Sequence, residues 1–183
     1  MALWIILGAV AVLALWLMGT YNGLVRLRNL KEEGWSGIDV QLKRRSDLVP
    51  NLVETVKGYA GHEKDTLEKV IGARSAVMSA GTDPEARLKA ENALTSTLRS
   101  LFAVAENYPD LKANANFINL QEQLSKIEDE IQMSRRYYNG AARNYNTAAQ
   151  QFPAVLIAGA MGFHKAPYFE AEEEAKAVPQ VKF

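Results

Sequence analysis

Residues 35–59 read WSGIDVQLKRRSDLVPNLVETVKGY, and the fold turns on this stretch. Steps of three and four residues from Trp35 land on Ile38, Leu42, Arg45, Val49, Leu52, Val56 and Tyr59. Apart from Arg45 the series is apolar or aromatic, the stripe of a helix that packs against other helices. Arg44, Asp47 and Pro50 lie beside the exception. A charge in an apolar stripe and a proline in the same two turns break two local rules, a pattern that marks functional or strained sites.

Upstream, Met1 to Val25 contains no charged residue. A run of about 20 apolar residues crosses a bilayer core at about 1.5 Å rise per residue. Trp4 near one end, and Trp16 and Tyr21 near the other, sit where amphipathic rings prefer the membrane interfaces. A cleaved secretory signal is the rival reading, but there is no basic n-region and no A-x-A site after the apolar run. Residues 1–22 therefore read as a membrane anchor. Arg26, Arg28 and Lys31 follow it and no lysine or arginine precedes it. The positive-inside rule then puts the N-terminus outside and the rest of the chain in the cytoplasm.

Downstream, the stripe slips to Leu67, Val70, Ile71 and Val77, with a turn expected at Gly58–His62, where two glycines weaken the helix. A turn at Ser46–Pro50 is the alternative. The stripe keeps its register through Pro50, so a kink that loses the hydrogen bond to the Ser46 carbonyl fits better. A second break falls at Ser79–Gly81, and Thr82 with Glu85 reads as a capping box for a third helix. That helix carries Leu88, Leu94, Leu98, Leu101 and Ala105 and stops before Tyr108-Pro109. Asn114 or Asn116 caps the fourth. There Phe117, Leu124, Ile131, Tyr138, Tyr145 and Phe152 fall seven apart, with Leu120, Ile127, Ser134, Ala141 and Ala148 in the complementary places, a heptad pattern. The aromatic-plus-alanine half of this series asks for large side chains on a neighbour.

The expected fold is all-α: an N-terminal transmembrane helix followed by a long antiparallel up-and-down four-helix bundle over residues 23–153. An apolar segment, 154–169, comes next. Its uncharged part, Ala154–Phe163, is too short to span. It either folds back along the bundle or faces the membrane or another subunit. Residues 170–183, rich in acids, read as a flexible tail.

Composition removes several function classes. The 183 residues hold 21 Lys+Arg and 21 Asp+Glu, so the net charge is zero, without the basic surplus of a nucleic-acid binder. The absence of cysteine removes disulfides, thiolate metal sites and thiol catalysis. His62 and His164 are far apart and outside Glu-x-x-His spacing. No phosphate-binding loop or G-x-S-x-G elbow is present. No catalytic or metal-ligating residue is nominated, and no cofactor is expected. For Arg44 and Arg45 two readings stand. Arg45 pairs with an acid such as Glu128 or Glu130, or the pair and Asp47 form a recognition face around Pro50 with Asn51 exposed.

The run IDVQLKRRSDLVPNLVETVKGYAGHE, residues 38–63, closely resembles the signature of the LemA family. YNGLVRLRN from Tyr21, AENYPDLKAN at 105–114, LQEQLSKIEDEI in the fourth helix, YNTAAQQFP at 145–153 and GFHKAPYF at 162–169 extend the resemblance over nearly the whole chain. It implies a bacterial membrane protein with one N-terminal span and a long antiparallel four-helix bundle, and it implies no enzyme; the expected location is the cytoplasmic (inner) membrane. By resemblance the motif positions are Arg44, Arg45, Asp47, Pro50, Asn51, Tyr108, Pro109 and Lys112, read as a protein-interaction surface. Trp4, Trp16, Tyr21, Arg26, Arg28 and Phe163 are read as membrane-interface residues. Gly34 stands where the family more often has alanine, which should loosen helix one slightly. The function expected is a membrane-anchored scaffold or adaptor that self-associates or binds another membrane protein, such as a membrane metalloprotease. The alternative is a lipid-contacting, membrane-remodelling protein.

Overall fold

Fifty-six consecutive residues, Ala2–Lys57, form one unbroken helix, α1, in the computed structural model, which describes residues 1–81 and 84–169. The order continues with α2 (Lys64–Ser79), α3 (Pro84–Ala105), α4 (Pro109–Lys112), α5 (Ala115–Gln150) and α6 (Val155–Ala158). The protein is all-α, with no strand among the described residues. The expected capping box at Thr82 and Glu85 and the expected flexible tail at 170–183 lie outside the described residues.

The helix boundaries have local causes. α1 stops where Gly58 and Gly61 remove helix preference, and Ala60 donates back to the Val56 carbonyl at 2.8 Å. α5 starts where Asn114 caps it: its Oδ1 accepts from the backbone N–H of Asn116 at 2.9 Å and of Phe117 at 3.0 Å.

Pro50 lies inside α1 without ending it. The ring removes the donor that would have served the Ser46 carbonyl. Arg74 of α2 replaces it, its Nε donating to that carbonyl at 2.9 Å. Ser46 is buried, so the carbonyl has no water to fall back on. Replacing Arg74 by methionine is expected to cost about 1–3 kcal/mol, the penalty for an unsatisfied buried acceptor. The cost should shrink in a Pro50→Ala background, where the helix supplies its own donor. Urea titrations of the four combinations would check this coupling.

The described residues sort into two compact units. In Asp39–Met133 a single core draws Val49, Leu52 and Val56 from α1, Leu67, Val70 and Val77 from α2, Leu94, Leu98 and Leu101 from α3, Leu111 from α4 and Phe117, Leu120 and Leu124 from α5. Ile71, expected on this stripe, is exposed.

The other unit joins Met1–Ile38 to Ser134–Phe169. From Met1 to Gly23 no residue is buried, and burial begins at Leu24. The window within α1 near the N-terminus is long and apolar enough to cross a membrane. Further along, Trp35 meets Tyr138 edge-on at 5.5 Å and Phe169 at 6.1 Å. This is the large partner that the aromatic half of α5 called for. Gly34 has a role other than the loosening expected of it. A Cβ there would lie 3.1 Å from the Tyr138 Cα and 3.1 Å from the Tyr137 ring, so the glycine permits close approach of the two helices.

In this unit the buried stripe of α5 is Tyr138, Ala142, Tyr145, Asn146 and Ala149. Ser134, Ala141 and Ala148, expected to be the complementary positions, are only half-buried. Phe152, expected as the last seam residue, is 80% exposed, because α5 ends at Gln150 and the helical phase ends with it.

Candidate functional site

Arg45 projects from α1 into the interior of the Asp39–Met133 unit, where it is 2% exposed. α3 brings Glu91 and Thr95 to it, and α5 brings Glu128. Its Nη1 donates to the Thr95 hydroxyl at 2.9 Å and to Glu128 Oε2 at 2.8 Å. Its Nη2 donates to Glu91 Oε2 and faces the Glu91 carbonyl at 3.4 Å. Glu91 is 0% exposed and is also reached by Arg87 Nε at 3.4 Å, while Arg87 Nη2 pairs with Asp39 at 2.9 Å. Two arginines thus thread through three acids. Buried charges persist only when paired in this manner.

Of the two readings of Arg45, the structure shows pairing with Glu128, together with Glu91, which the sequence had not nominated. Arg45 is therefore corrected from interaction surface to interior. A signal for Glu91 was present: it lies three residues before Leu94, on the stripe Leu94, Leu98, Leu101 and Ala105, an acid in a seam just as Arg45 is a base in one.

The neighbouring signature residues face outward. Arg44, Asp47, Pro50 and Asn51 are exposed on α1. Arg44 pairs with Glu130 at 2.9 Å and with Gln41 at 3.0 Å, its side chain 57% exposed. The second motif lies at the far end of α1. Tyr108 is half-buried and donates its hydroxyl to Glu63 at 2.9 Å. That bond, followed by burial and the carboxylate's charge, raises the Tyr108 pKa above its ordinary value. Pro109 opens α4, exposed, and Lys112 pairs with Glu106. Asn114 donates to the Tyr59 hydroxyl at 2.9 Å. The Tyr108 motif is thus locked onto the segment that follows α1.

A cavity of about 350 Å³ opens beside Arg45, walled by Leu98, Phe102 and Leu124 with Arg99 and Asp129 among its polar residues. Among the described residues no group of three or more His, Asp or Glu is placed to hold a metal ion.

In the other unit, residues 163–169 form a strap along α5, and sequence reasoning missed what holds it. Asn146, 3% exposed, donates to the Ala166 carbonyl at 2.9 Å and accepts from the Ala166 N–H at 2.8 Å. Asn139, seven residues earlier, does the same for Phe169, at 2.9 and 2.7 Å. Each amide pairs with a backbone as another strand would. Tyr138 adds a bond to the Pro167 carbonyl at 2.9 Å, and burial raises its pKa. Arg135 lies over the Phe169 ring at 4.4 Å.

The expected membrane-interface residues divide. Trp4, Tyr21 and Arg26 are exposed, and Trp16 and Arg28 are half-buried. Phe163 is buried, packed edge-on against Tyr21 at 5.6 Å and beneath the Arg28 guanidinium at 5.4 Å. Ala154–Phe163 folds back through Ala158 and Phe163, while Val155 and Leu156 are left outside.

These features define a class: an all-α protein headed by one long apolar helix, with a polar helix surface as its candidate site. The chain belongs to the LemA family, whose pattern matches residues 34–183. It is similar to Protein LemA of Metamycoplasma hominis, 28% identical over 156 residues that cover 85% of this chain and 71% of the relative. It is also similar to Magnetosome protein MamQ 2 of Paramagnetospirillum magneticum, 26% identical over 190 residues, 90% of this chain and 70% of that one. Magnetosome protein MamQ of Magnetospirillum gryphiswaldense is 24% identical over 178 residues, 84% and 65% of the two chains.

Proposed function

We propose that this protein is a membrane-anchored helical scaffold, without catalysis, that presents the exposed α1 face around Arg44, Asp47, Pro50 and Asn51 to another copy of itself or to a second membrane protein. α1 crosses the bacterial inner membrane near its N-terminus, and Arg26, Arg28 and Lys31 keep the helices beyond it in the cytoplasm. The observation that carries the reading is the contrast between Arg45 and its neighbours. Arg45 is consumed by the interior, while the four signature residues beside it are exposed, and the one ion pair among them, Arg44 with Glu130, lies at the surface. The relatives named as magnetosome proteins support a role at a membrane.

The test is Arg44→Glu. An exposed ion pair such as Arg44–Glu130 contributes roughly 0–1 kcal/mol, so helicity and melting should barely change. Assembly size in mild detergent, followed by light scattering, or crosslinking to partners in the native membrane, should fall to the level of an unassociated chain. Unchanged association would remove the face from the interaction, and collapse of helicity would make it a fold element.

A further inference from the structure

The zero net charge of the chain conceals an uneven distribution. The unit of Met1–Ile38 and Ser134–Phe169 carries seven arginines and lysines against two acids, Glu32 and Glu33, and residues 134–169 contain no acid at all. The same unit leaves apolar side chains bare just beyond the end of α5. Phe152 is 80% exposed, Leu156 71% and Val155 48%. The place of this patch along α1 is fixed within the unit. Its segment continues to Phe163, which packs on Tyr21 and lies beneath Arg28. Tyr21 closes the uncharged run, and burial on α1 starts three residues later at Leu24. A span of about 20 residues from Ala2 ends at that same level. The bare side chains therefore lie where α1 leaves the hydrocarbon, with Arg26 and Arg28 on α1 and Arg143 and Lys165 on the adjoining segments.

We propose that Phe152, Val155 and Leu156 form a second, monotopic contact with the leaflet through which α1 leaves the bilayer, and that the basic surface beside them selects anionic headgroups. The contact rests on the reading of α1 as a membrane span. Apolar side chains enter the headgroup–acyl boundary while cations a few ångströms higher meet phosphates, the division of labour of interfacial segments. Each cation near an anionic surface adds attraction that decays within a Debye length. Two other occupants fit less well. A second copy of this unit would bring basic surface against basic surface. A groove in the unit itself is not the occupant, since Phe163 and Ala158 already fill the inward side.

The absence of cysteine makes the test direct. Full-length Leu156→Cys, labelled with an environment-sensitive dye, is reconstituted into vesicles of phosphatidylcholine alone or mixed with phosphatidylglycerol, beside a Met133→Cys control on the exposed side of α5. The expected result is a blue-shifted emission, shielded from a water-borne quencher and reached by a lipid-borne one, at position 156 in the anionic vesicles only. The shift should be lost at high salt and in a variant with Arg26, Arg143 and Lys165 changed to glutamine. Emission at 156 as water-exposed as at 133 in both vesicles would overturn the contact. Equal shielding in neutral vesicles would overturn the selection of anionic lipid. Shielding that disappears when labelled protein is diluted with unlabelled lipid would assign the patch to a second copy. Failure of the protein to float with vesicles would instead refute the span, so the two readings fail separately. The substituted side chains are exposed, and circular dichroism of each variant should match the parent.

Discussion

Arg45→Met should cost about 3–5 kcal/mol of folding stability, the range for breaking a buried ion pair by removing one partner. Methionine nearly fills the volume, so a cavity is a minor part of the loss. The main part is Glu91, 0% exposed, left with only the longer contact to Arg87 at 3.4 Å. Glu128 is less affected, because its side chain is 36% exposed and can turn to water. The double variant Arg45→Met with Glu91→Leu should recover most of the loss, since paired replacement of buried charges by apolar groups is often neutral or better. Chemical denaturation of the single and double variants checks both statements. A loss below about 1 kcal/mol in Arg45→Met would mean that water reaches Glu91, as for an exposed pair. Failure of the double variant to recover would assign the loss to packing.

Asn146→Ala is expected to release the 163–169 strap. Two buried backbone groups of Ala166 lose their partners, at about 1–3 kcal/mol each if the strap stays in place. The strap need not stay. It can detach and hydrate those groups, so the cost is limited to what its contacts contribute. The expected signature is local: rapid tryptic cleavage after Lys165 and fast amide exchange at Ala166 and Phe169, with the Asp39–Met133 unit unchanged. Asn146→Asp should behave at least as badly, because a carboxylate accepts from the Ala166 N–H but cannot donate to the carbonyl it also faces. Cleavage as slow as in the parent would show that Asn139, Tyr138 and the packing of Phe169 suffice to hold the strap.

The legible parts of the fold follow from local periodicity. The α1 stripe from Ile38 to Val56, the break at Gly58–Gly61, the passage through Pro50 and the Asn114 cap are all set by neighbours within a turn or two. What escaped notice depends on tertiary partners. Glu91 stands out as an acid in the α3 seam, but its partner is set only when α1 places Arg45 against it. Arg74 has no visible task until a proline on another helix deprives the Ser46 carbonyl of its donor. Asn139 and Asn146 look like ordinary polar positions because what they bind is backbone, which carries no sequence signal. Phe152 leaves its expected seam place for one reason. Seven-residue counting assumes that the helix continues, and α5 ends two residues before Phe152. Of the candidate site, Arg44, Asp47, Pro50 and Asn51 were legible as a group, and their exposure needed the structure.

Asn139 is followed by Gly140, and this pair gives the strap a lifetime as well as a strength. Asparagine before glycine loses ammonia readily in a flexible chain, because the following nitrogen can attack the side-chain amide. Inside α5 that nitrogen is committed to a helical hydrogen bond, and the amide itself is engaged by both polar groups of Phe169. Folding therefore suppresses the step, and unfolding permits it. A molecule that ages while open acquires a carboxylate that can no longer donate to the Phe169 carbonyl, and its strap will not close as before. The clasp is thus a record of how long the chain has spent undone.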